Sequence, residues 1–400
     1  MKAIKNIFDK TKPLFEKGGK YEKLMPIFET FETLFFVPDH VTSAKGVQIR
    51  DAIDLKRMMM TVILAMVPCL LFGIWNVGYQ HGISTGQELT LLQQLGIGSL
   101  AVLPIIVVSY AAGLTVEFIF GIKNGHALNE GFLVSGMLIP LVVPPTIPLW
   151  QVALATVFAV LIGKEVFGGT GMNILNVALT ARAFLYFAYP SQISGNVWTY
   201  MADKTPVDGY TGSTALAIAN EASVNKTATV VEALGHSNTA LGADFYKFSN
   251  MFFGFIPGSI GETSTLMCLI GAAILILTGM GSWKIIVSVF GGAYLTGLLL
   301  NAVAVNAFMA MPAEYHLVMG GLAFGAVFMA TDPVSASQTE KGKWIYGILI
   351  GVLTVIIRVF NPAYPEGIML AILLMNVFAP LIDYYIVKAN KNRRLQRATV

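Results

Sequence analysis

Long apolar runs dominate this chain, at 58–79, 95–121, 129–144, 148–167, 173–190, 266–282, 284–307, 315–331, 344–361 and 367–388. About 20 apolar residues at 1.5 Å each cross the ~30 Å hydrocarbon core of a bilayer. The pattern therefore predicts about ten helical membrane segments. A polar stretch, 191–247, divides them five and five. The third and eighth runs are short and hold glycine or proline. Interrupted segments at matching places in two halves mark a midplane binding site in an inverted repeat. A faint internal similarity agrees. PLWQVALATVFAVLIGKEVF (148–167) resembles GKWIYGILIGVLTVIIRVF (342–360), setting Trp150 against Trp344 and Val166-Phe167 against Val359-Phe360. Five segments per half is an odd number, so the second half would run upside down. The predicted fold is an all-α polytopic membrane protein with two inverted five-helix repeats, including short or broken helices. Its expected parts are an arm (1–57), a first repeat (58–190), a connecting loop (191–265), a second repeat (266–388) and a basic tail (389–400).

Composition agrees with that class. Hydrophobic residues make up 55% of the chain and charged residues 12%, against about a quarter charged in soluble domains. The net charge of +3 is concentrated at the two ends, which speaks for topology and against a nucleic-acid partner. By the positive-inside rule, the lysine-rich arm and the tail from Lys388 to Arg397 are expected in the cytoplasm. Lys123, Lys164, Lys284, Lys341 and Lys343 fall on the same side. Loops 79–94 and 191–247 fall outside. The basic, mixed first 57 residues read as an arm and not as a cleavable leader. Within it Leu24, Phe28, Phe31 and Phe35 recur at helical spacing, with Glu22, Glu29 and Glu32 elsewhere on the wheel. That predicts an amphipathic helix, lying on the inner membrane surface or docked on a partner or on its own bundle. Cys69 and Cys268 are too few for a zinc or iron–sulfur site, which takes about four ligands, and read as small buried hydrophobes.

The candidate chemistry begins with an outer loop, DGYTGSTALA (208–217). Thr211, Ser213 and Thr214 cluster around Gly212. Such residues are common in turns. An exposed threonine beside a glycine also suits an acceptor for a group transferred by another enzyme, the glycine relaxing the backbone to enter that enzyme's cleft. Asn225-Lys226-Thr227 matches a glycosylation acceptor, and nothing else in the chain suggests a secretory glycoprotein. Glu117, Asp332 and Asp383 are acids in or near membrane segments, where such groups mark pathways unless they snorkel to water. Thr331-Asp332-Pro333 breaks a half-length segment and frees carbonyls beside a carboxylate, an oxygen-rich setting for a hard cation. Gly168-Gly169-Thr170-Gly171 follows no strand, so it is not a dinucleotide fingerprint. It reads as a break between segments or as a flavin contact, and not as an NADH site.

Several stretches carry a resemblance: LFEKGGKYEK (14–23), DLKRMM (54–59), VPPTIPLWQ (143–151), KEVFGGTGMN (164–173), ARAFLYFAYPSQISG (181–195), PGSIGE (257–262), FMATDPVSAS (328–337) and RVFNPAYPEGIMLAIL (358–373). Over nearly its whole length the chain resembles the B subunits of bacterial sodium-translocating NADH:quinone oxidoreductases. The resemblance implies FMN bound through a phosphoester to the last threonine of a Ser/Thr-Gly-Ala/Ser-Thr motif. Here that is Thr211-Gly212-Ser213-Thr214, with Thr214 the acceptor and Asp208 just upstream. Thr263-Ser264-Thr265 is a competing hydroxyl group without the preceding Ser/Thr-Gly. The resemblance further implies noncovalent riboflavin; separately, Arg182, Thr170 and Asn173 are candidate flavin contacts. Arg182 and Arg358 could each meet a flavin phosphate or an internal acid. It implies ubiquinone near the inner surface, with Gly113, Phe28 and Phe31 as the candidate region, although Leu114 stands where the family can have a second glycine. It implies sodium transport through Glu117, Asp332 and Asp383. The expected setting is a six-subunit complex in the bacterial inner membrane, both termini cytoplasmic. Its other members would be the A subunit, the flavoprotein C subunit, the membrane-embedded D and E subunits, and the F subunit, which would oxidise NADH. A flavin transferase would load the FMN. Two alternatives share the span pattern. The D subunit of the ferredoxin:NAD oxidoreductase complex is expected to lack the long arm with LFEKGGKYEK. A non-redox channel or transporter with inverted repeats would carry no flavin.

Overall fold

The computed structural model describes residues 2–15, 19–25, 28, 32, 36, 55–124, 131–201, 205–225, 229–238, 242, 244–361 and 363–398. Among these, every regular element is helical. The arm begins with α1 (Lys2–Thr11). The first half holds α2 (Leu55–Thr85), α3 (Leu91–Asn124), α4 (Gly131–Leu141), α5 (Leu149–Gly163) and α6 (Val177–Ala188). The connection carries α7 (Ala215–Asn225), α8 (Val230–His236) and α9 (Phe248–Phe253). The second half holds α10 (Thr265–Leu277), α11 (Trp283–Val303), α12 (Tyr315–Val318), α13 (Leu322–Phe324) with a π-helical turn at Gly325–Met329, α14 (Glu340–Phe360) and α15 (Ile368–Ala398).

Each of the ten predicted runs contains helix, but among the described residues only six helices are long and apolar enough to cross a membrane. These are α2, α3, α5 with its continuation to Phe167, α11, α14 and α15. The third and eighth runs are short or broken, as glycine and proline there predict. The fifth and sixth are also short, which the pattern does not predict. Their ends have local causes. Three glycines with positive φ, Gly168, Gly169 and Gly171, hold the chain out of helix before α6, and the Asn176 side chain then caps α6 by accepting from Leu179 N at 3.2 Å. Ser264 caps α10 by accepting from Met267 N at 3.3 Å. The non-helical stretch before α10, 257–264, is buried in protein, where lipid cannot leave its polar groups unpaired. Gly261 N donates to Leu141 O at 2.7 Å, and Ile260 N donates to Val143 O at 3.4 Å. The re-entrant stretch 257–264 thus satisfies carbonyls freed at the end of α4.

Several neighbour relations recur in the two halves, although α2 also packs on α3 with no comparable contact between α10 and α11. In the first, α3 packs on α5, α5 on α6, and α4 against α2 and α3. In the second, α11 packs on α14, α14 on α15, and the broken segment against α10 and α11. α2 meets α10, and α6 meets α15, across the halves. The α11–α14 contact is close because both helices present glycine. A Cβ on Gly351 would lie 2.3 Å from Val289 O, and one on Gly292 would lie 2.6 Å from Ile348 O. Small residues let membrane helices approach through van der Waals contact where hydrophobicity supplies no drive. Cys69 and Cys268 face each other across α2 and α10, free, buried and 3.9 Å apart.

The two ends of the bundle gather the loops that charge predicts on opposite sides. At one end, Val207 N donates to Ser84 O at 2.8 Å, and His81 Nδ1 lies 3.0 Å from Tyr200 O. At the other, Lys284 and Lys343 both pair with Glu340. α15 is 31 residues long, ~46 Å at 1.5 Å per residue. It outruns the hydrocarbon core and carries the basic tail into water. A second apolar cluster ties the connection to the second half, joining Leu216, Val230, Tyr246 and Met251 to Phe308 and Met319. It is this packing that fixes where the start of α7 stands.

Candidate functional site

The hydroxyl loop is held from three directions. Asn238, fully buried, accepts from Thr211 N at 2.7 Å and donates to Thr211 O at 3.2 Å. Thr211 Oγ1 donates to Ser213 Oγ at 3.0 Å, and Ser213 Oγ donates to Asn196 Oδ1. Tyr246 Oη donates to Ser213 O at 2.6 Å. Burial pushes the Tyr246 hydroxyl well above its usual range and that of Tyr210 up to about 12, although Tyr210 bonds Thr199. Both therefore remain neutral hydrogen-bonding groups at ordinary pH. Asp208 is exposed in the turn before them, beside Gly209 at φ +80°. Gly212 has a different reason from the mobility predicted for it. It is buried and has no positive φ. A Cβ there would stand 2.9 Å from Asn196 O and 3.2 Å from Thr199 Oγ1. Only glycine lets the loop lie this close to the neighbouring segment of chain.

Thr214 stands directly before α7. Its Oγ1 accepts from Ala217 N at 3.3 Å, the bond of an N-cap. A helix start with unpaired N–H groups and the positive end of its dipole suits an anion. The half-buried Thr214 lines a cavity of ≈ 270 Å³ together with Trp198, Asn220, Tyr364, Glu366 and Arg182. Arg182 is fully buried and donates to Glu262 Oε1 at 2.7 Å, with Glu366 Oε2 at 3.5 Å. Arg358 behaves otherwise. It donates to three backbone carbonyls, those of Glu366, His316 and Met319, at 3.0, 2.6 and 2.9 Å. Of the two arginines, Arg182 shares the cavity with Thr214. The competing hydroxyls Thr263, Ser264 and Thr265 are all buried, and Ser264 is committed as a cap.

At the opposite end, Thr170, Asn173, Asn176, Lys164 and Asp332 line a second cavity of ≈ 90 Å³. Asp332 accepts from Val334 N at 3.0 Å, Ser335 Oγ at 2.9 Å and Asn176 Nδ2 at 3.3 Å. Glu117 does not reach water. It is buried and bonded to Lys164, itself buried. Asp383 accepts from Ser337 Oγ, Gln338 N, and both N and Oγ1 of Thr339, at 2.6 to 3.0 Å. The three acids thus occupy three separate settings. Gly113 is buried beneath Phe132, where a Cβ would overlap the ring at 1.9 Å. Phe28 stacks on Phe15 at 4.7 Å and meets Phe8 edge-on at 5.5 Å within the arm. Phe31 and Phe35 lie outside the described residues.

The chain is thus a polytopic helical membrane protein that presents a threonine at a helix start, beside a cavity that a buried arginine lines. Residues 42–392 match the model of the NQR2, RnfD, RnfE family, and the chain belongs to it. It is 48% identical to the B subunit of the Na(+)-translocating NADH-quinone reductase of Chromohalobacter salexigens, over 99% of this chain and 97% of the relative. The B subunits of the same name from Ectopseudomonas mendocina and Haemophilus influenzae are 47% and 44% identical, each over 99% of both chains.

Asn238, Asn196, Tyr246, Glu262, Glu366 and Lys164 escape a reading of the sequence. Each acts on a partner remote in the chain, and no local spacing reports such pairs. For Lys164 alone there is a signal, a lysine at the edge of an apolar run that must find an acid or water.

Proposed function

We propose that this chain is the membrane subunit of a sodium-translocating NADH–quinone reductase, carrying FMN on Thr214. Electrons would reach that flavin from a partner flavoprotein at the outer side, pass inward, and arrive at ubiquinone while sodium moves out. The observation that carries the reading is Thr214 itself: a hydroxyl at a helix N-terminus, opening on a cavity that Arg182 floors. The residues fit a flavin phosphoester. An activated flavin phosphate would supply the phosphorus and lose its leaving group, while Oγ1 loses its proton. The N–H groups of α7 and the cap geometry would then receive the remaining phosphate charge. When bound, the flavin supplies the passage between one- and two-electron partners; the chain supplies position and a buried cation.

Riboflavin is a different matter. Thr170 and Asn173 offer polar contacts, but ≈ 90 Å³ is well below the ~300 Å³ at which small-ligand pockets begin. The cavity as it stands does not fit a flavin ring. It does suit a cation with some of its water. Asp332 is the acid that opens on it, and we place sodium uptake there. Glu117 would act on that cavity through Lys164, which lines it. Both termini and the lysine-rich loops would be cytoplasmic, in the bacterial inner membrane. The relatives, all named as B subunits, favour this over the ferredoxin-linked alternative.

The test uses the chain coexpressed with its flavin transferase and run on a denaturing gel. A fluorescent band that disappears in Thr214→Val supports the reading. A dark wild-type band, or fluorescence that persists in the variant, refutes it.

A further inference from the structure

Beneath the outer cavity lie charged groups that attachment of a flavin does not by itself explain. Glu262 and Glu366 flank one backbone point, Gly321. Gly321 N donates to Glu366 Oε1 at 2.7 Å, and a Cβ on Gly321 would stand 2.5 Å from Glu262 Oε1. Arg182 bridges the two acids, tightly to Glu262 and loosely to Glu366. Ser259 Oγ donates to the other oxygen of Glu262 at 2.5 Å. Arg358 holds the backbone carbonyl of Glu366 and so fixes the loop that presents it. Buried ions of this kind are a weak source of stability, since apolar side chains of the same volume serve a fold as well or better.

Two members of the cluster, Arg182 and Glu366, line the cavity beside Thr214, with the aromatic faces of Trp198 and Tyr364. Its ≈ 270 Å³ approaches the ~300 Å³ of small-ligand pockets. That is room for a fused ring system whose phosphate end remains at Thr214. A guanidinium has five N–H donors, and the bonds to Glu262 and Glu366 leave some free.

On the reading of Thr214 as the acceptor, we infer that the tethered flavin seats its ring in this cavity and that Arg182, positioned by Glu262 and Glu366, sets its reduction potential. Electrons from NADH, arriving through the partner subunits, add negative charge to a ring in a low-dielectric site. A buried cation on the wall stabilises that charge and raises the potential. The carboxylate of Glu366, on the same wall, opposes it. Glu262 lines a smaller adjoining cavity that Thr214 also lines, and acts by aiming Arg182 through its 2.7 Å bond.

The assay is an anaerobic spectroelectrochemical titration of the covalent flavin in the purified full complex, with gel fluorescence confirming attachment. Replacing Arg182 and Glu262 together by Gln removes the cation without leaving its tight partner unpaired. The flavin's reduction equilibrium should fall about threefold or more, about 28 mV for a one-electron couple at 59 mV per tenfold. Glu366→Gln should shift it by a similar factor the other way. Flavin attached at wild-type level with both midpoints unmoved, or moved in the same direction, overturns the inference and leaves the acceptor assignment intact. Should the double variant fail to assemble, Glu366→Gln decides alone: an upward shift supports the role and an unchanged midpoint overturns it. Absence of flavin from wild-type chain would instead refute the acceptor assignment on which this rests.

Discussion

Removing Lys164 should expose what the Glu117–Lys164 pair does. Both side chains are about 95% buried and bonded to each other, near the ends of α3 and α5. Lys164→Met keeps the apolar stem and deletes the charge, leaving a buried carboxylate without its partner. Breaking a buried pair from one side costs about 3–5 kcal/mol. An independent bound follows from proton uptake, since a stranded carboxylate can be neutralised. Protonating a glutamate of ordinary pKa, about 4.3, costs about 3.7 kcal/mol at pH 7 and about 1.6 kcal/mol at pH 5.5, at 1.36 kcal/mol per unit. The variant should therefore be less stable than wild type by about 3–4 kcal/mol at pH 7. That deficit should shrink by about 2 kcal/mol at pH 5.5, because protons become cheaper to bind as pH falls. Glu117→Gln combined with Lys164→Met removes both charges and should regain most of the loss. Denaturant unfolding of the purified protein, followed by tryptophan fluorescence at both pH values, measures all three. A Lys164→Met protein within about 0.5 kcal/mol of wild type at both pH values would sink the argument, since that is the size of an ordinary surface change. So would a double variant no better than the single one.

Other outcomes follow from the outer loop and the glycines. Asn238→Ala strips both backbone bonds from Thr211 and should cost about 1–3 kcal/mol of local stability; flavin fluorescence on the gel should drop while the membrane bundle still folds. Gly212→Ala places a methyl 2.9 Å from Asn196 O. Overpacking of this kind costs about 1–3 kcal/mol, and the same gel should show impaired flavin loading with Thr214 unchanged. Gly113→Ala collides with Phe132, so its thermal stability should fall. A drop in quinone affinity with unchanged stability would instead place Gly113 in direct contact with quinone.

Much of the architecture is legible along the chain because a membrane helix is written as one continuous run. Broken segments are legible where glycine and proline interrupt the run, as at 131–141 and 315–329. The shortness of α6 and α10 is not. Ile174 and Leu175 before α6, and Met280 after α10, are apolar, so the run continues while the helix does not. What stops the helix is a cap or a positive φ at Asn176, Ser264 and Gly279. Thr214 stands out only through the motif that the family resemblance supplies. What holds it is not legible, for Asn238 lies 27 residues from the Thr211 it brackets, and Tyr246 lies 33 from Ser213. Acids near the ends of helices reveal their position but not their partner. Glu117 reads as a pathway acid or as a group snorkelling to water, and folding gives it Lys164, 47 residues away.

Intact-protein mass followed by peptide mapping of chain coexpressed with the flavin transferase tests the assignment of Thr214 most directly. The peptide spanning Thr211–Ala217 should carry one added flavin phosphate, lost in Thr214→Val. Unmodified peptide there, or the added mass on Thr263–Thr265, would contradict it.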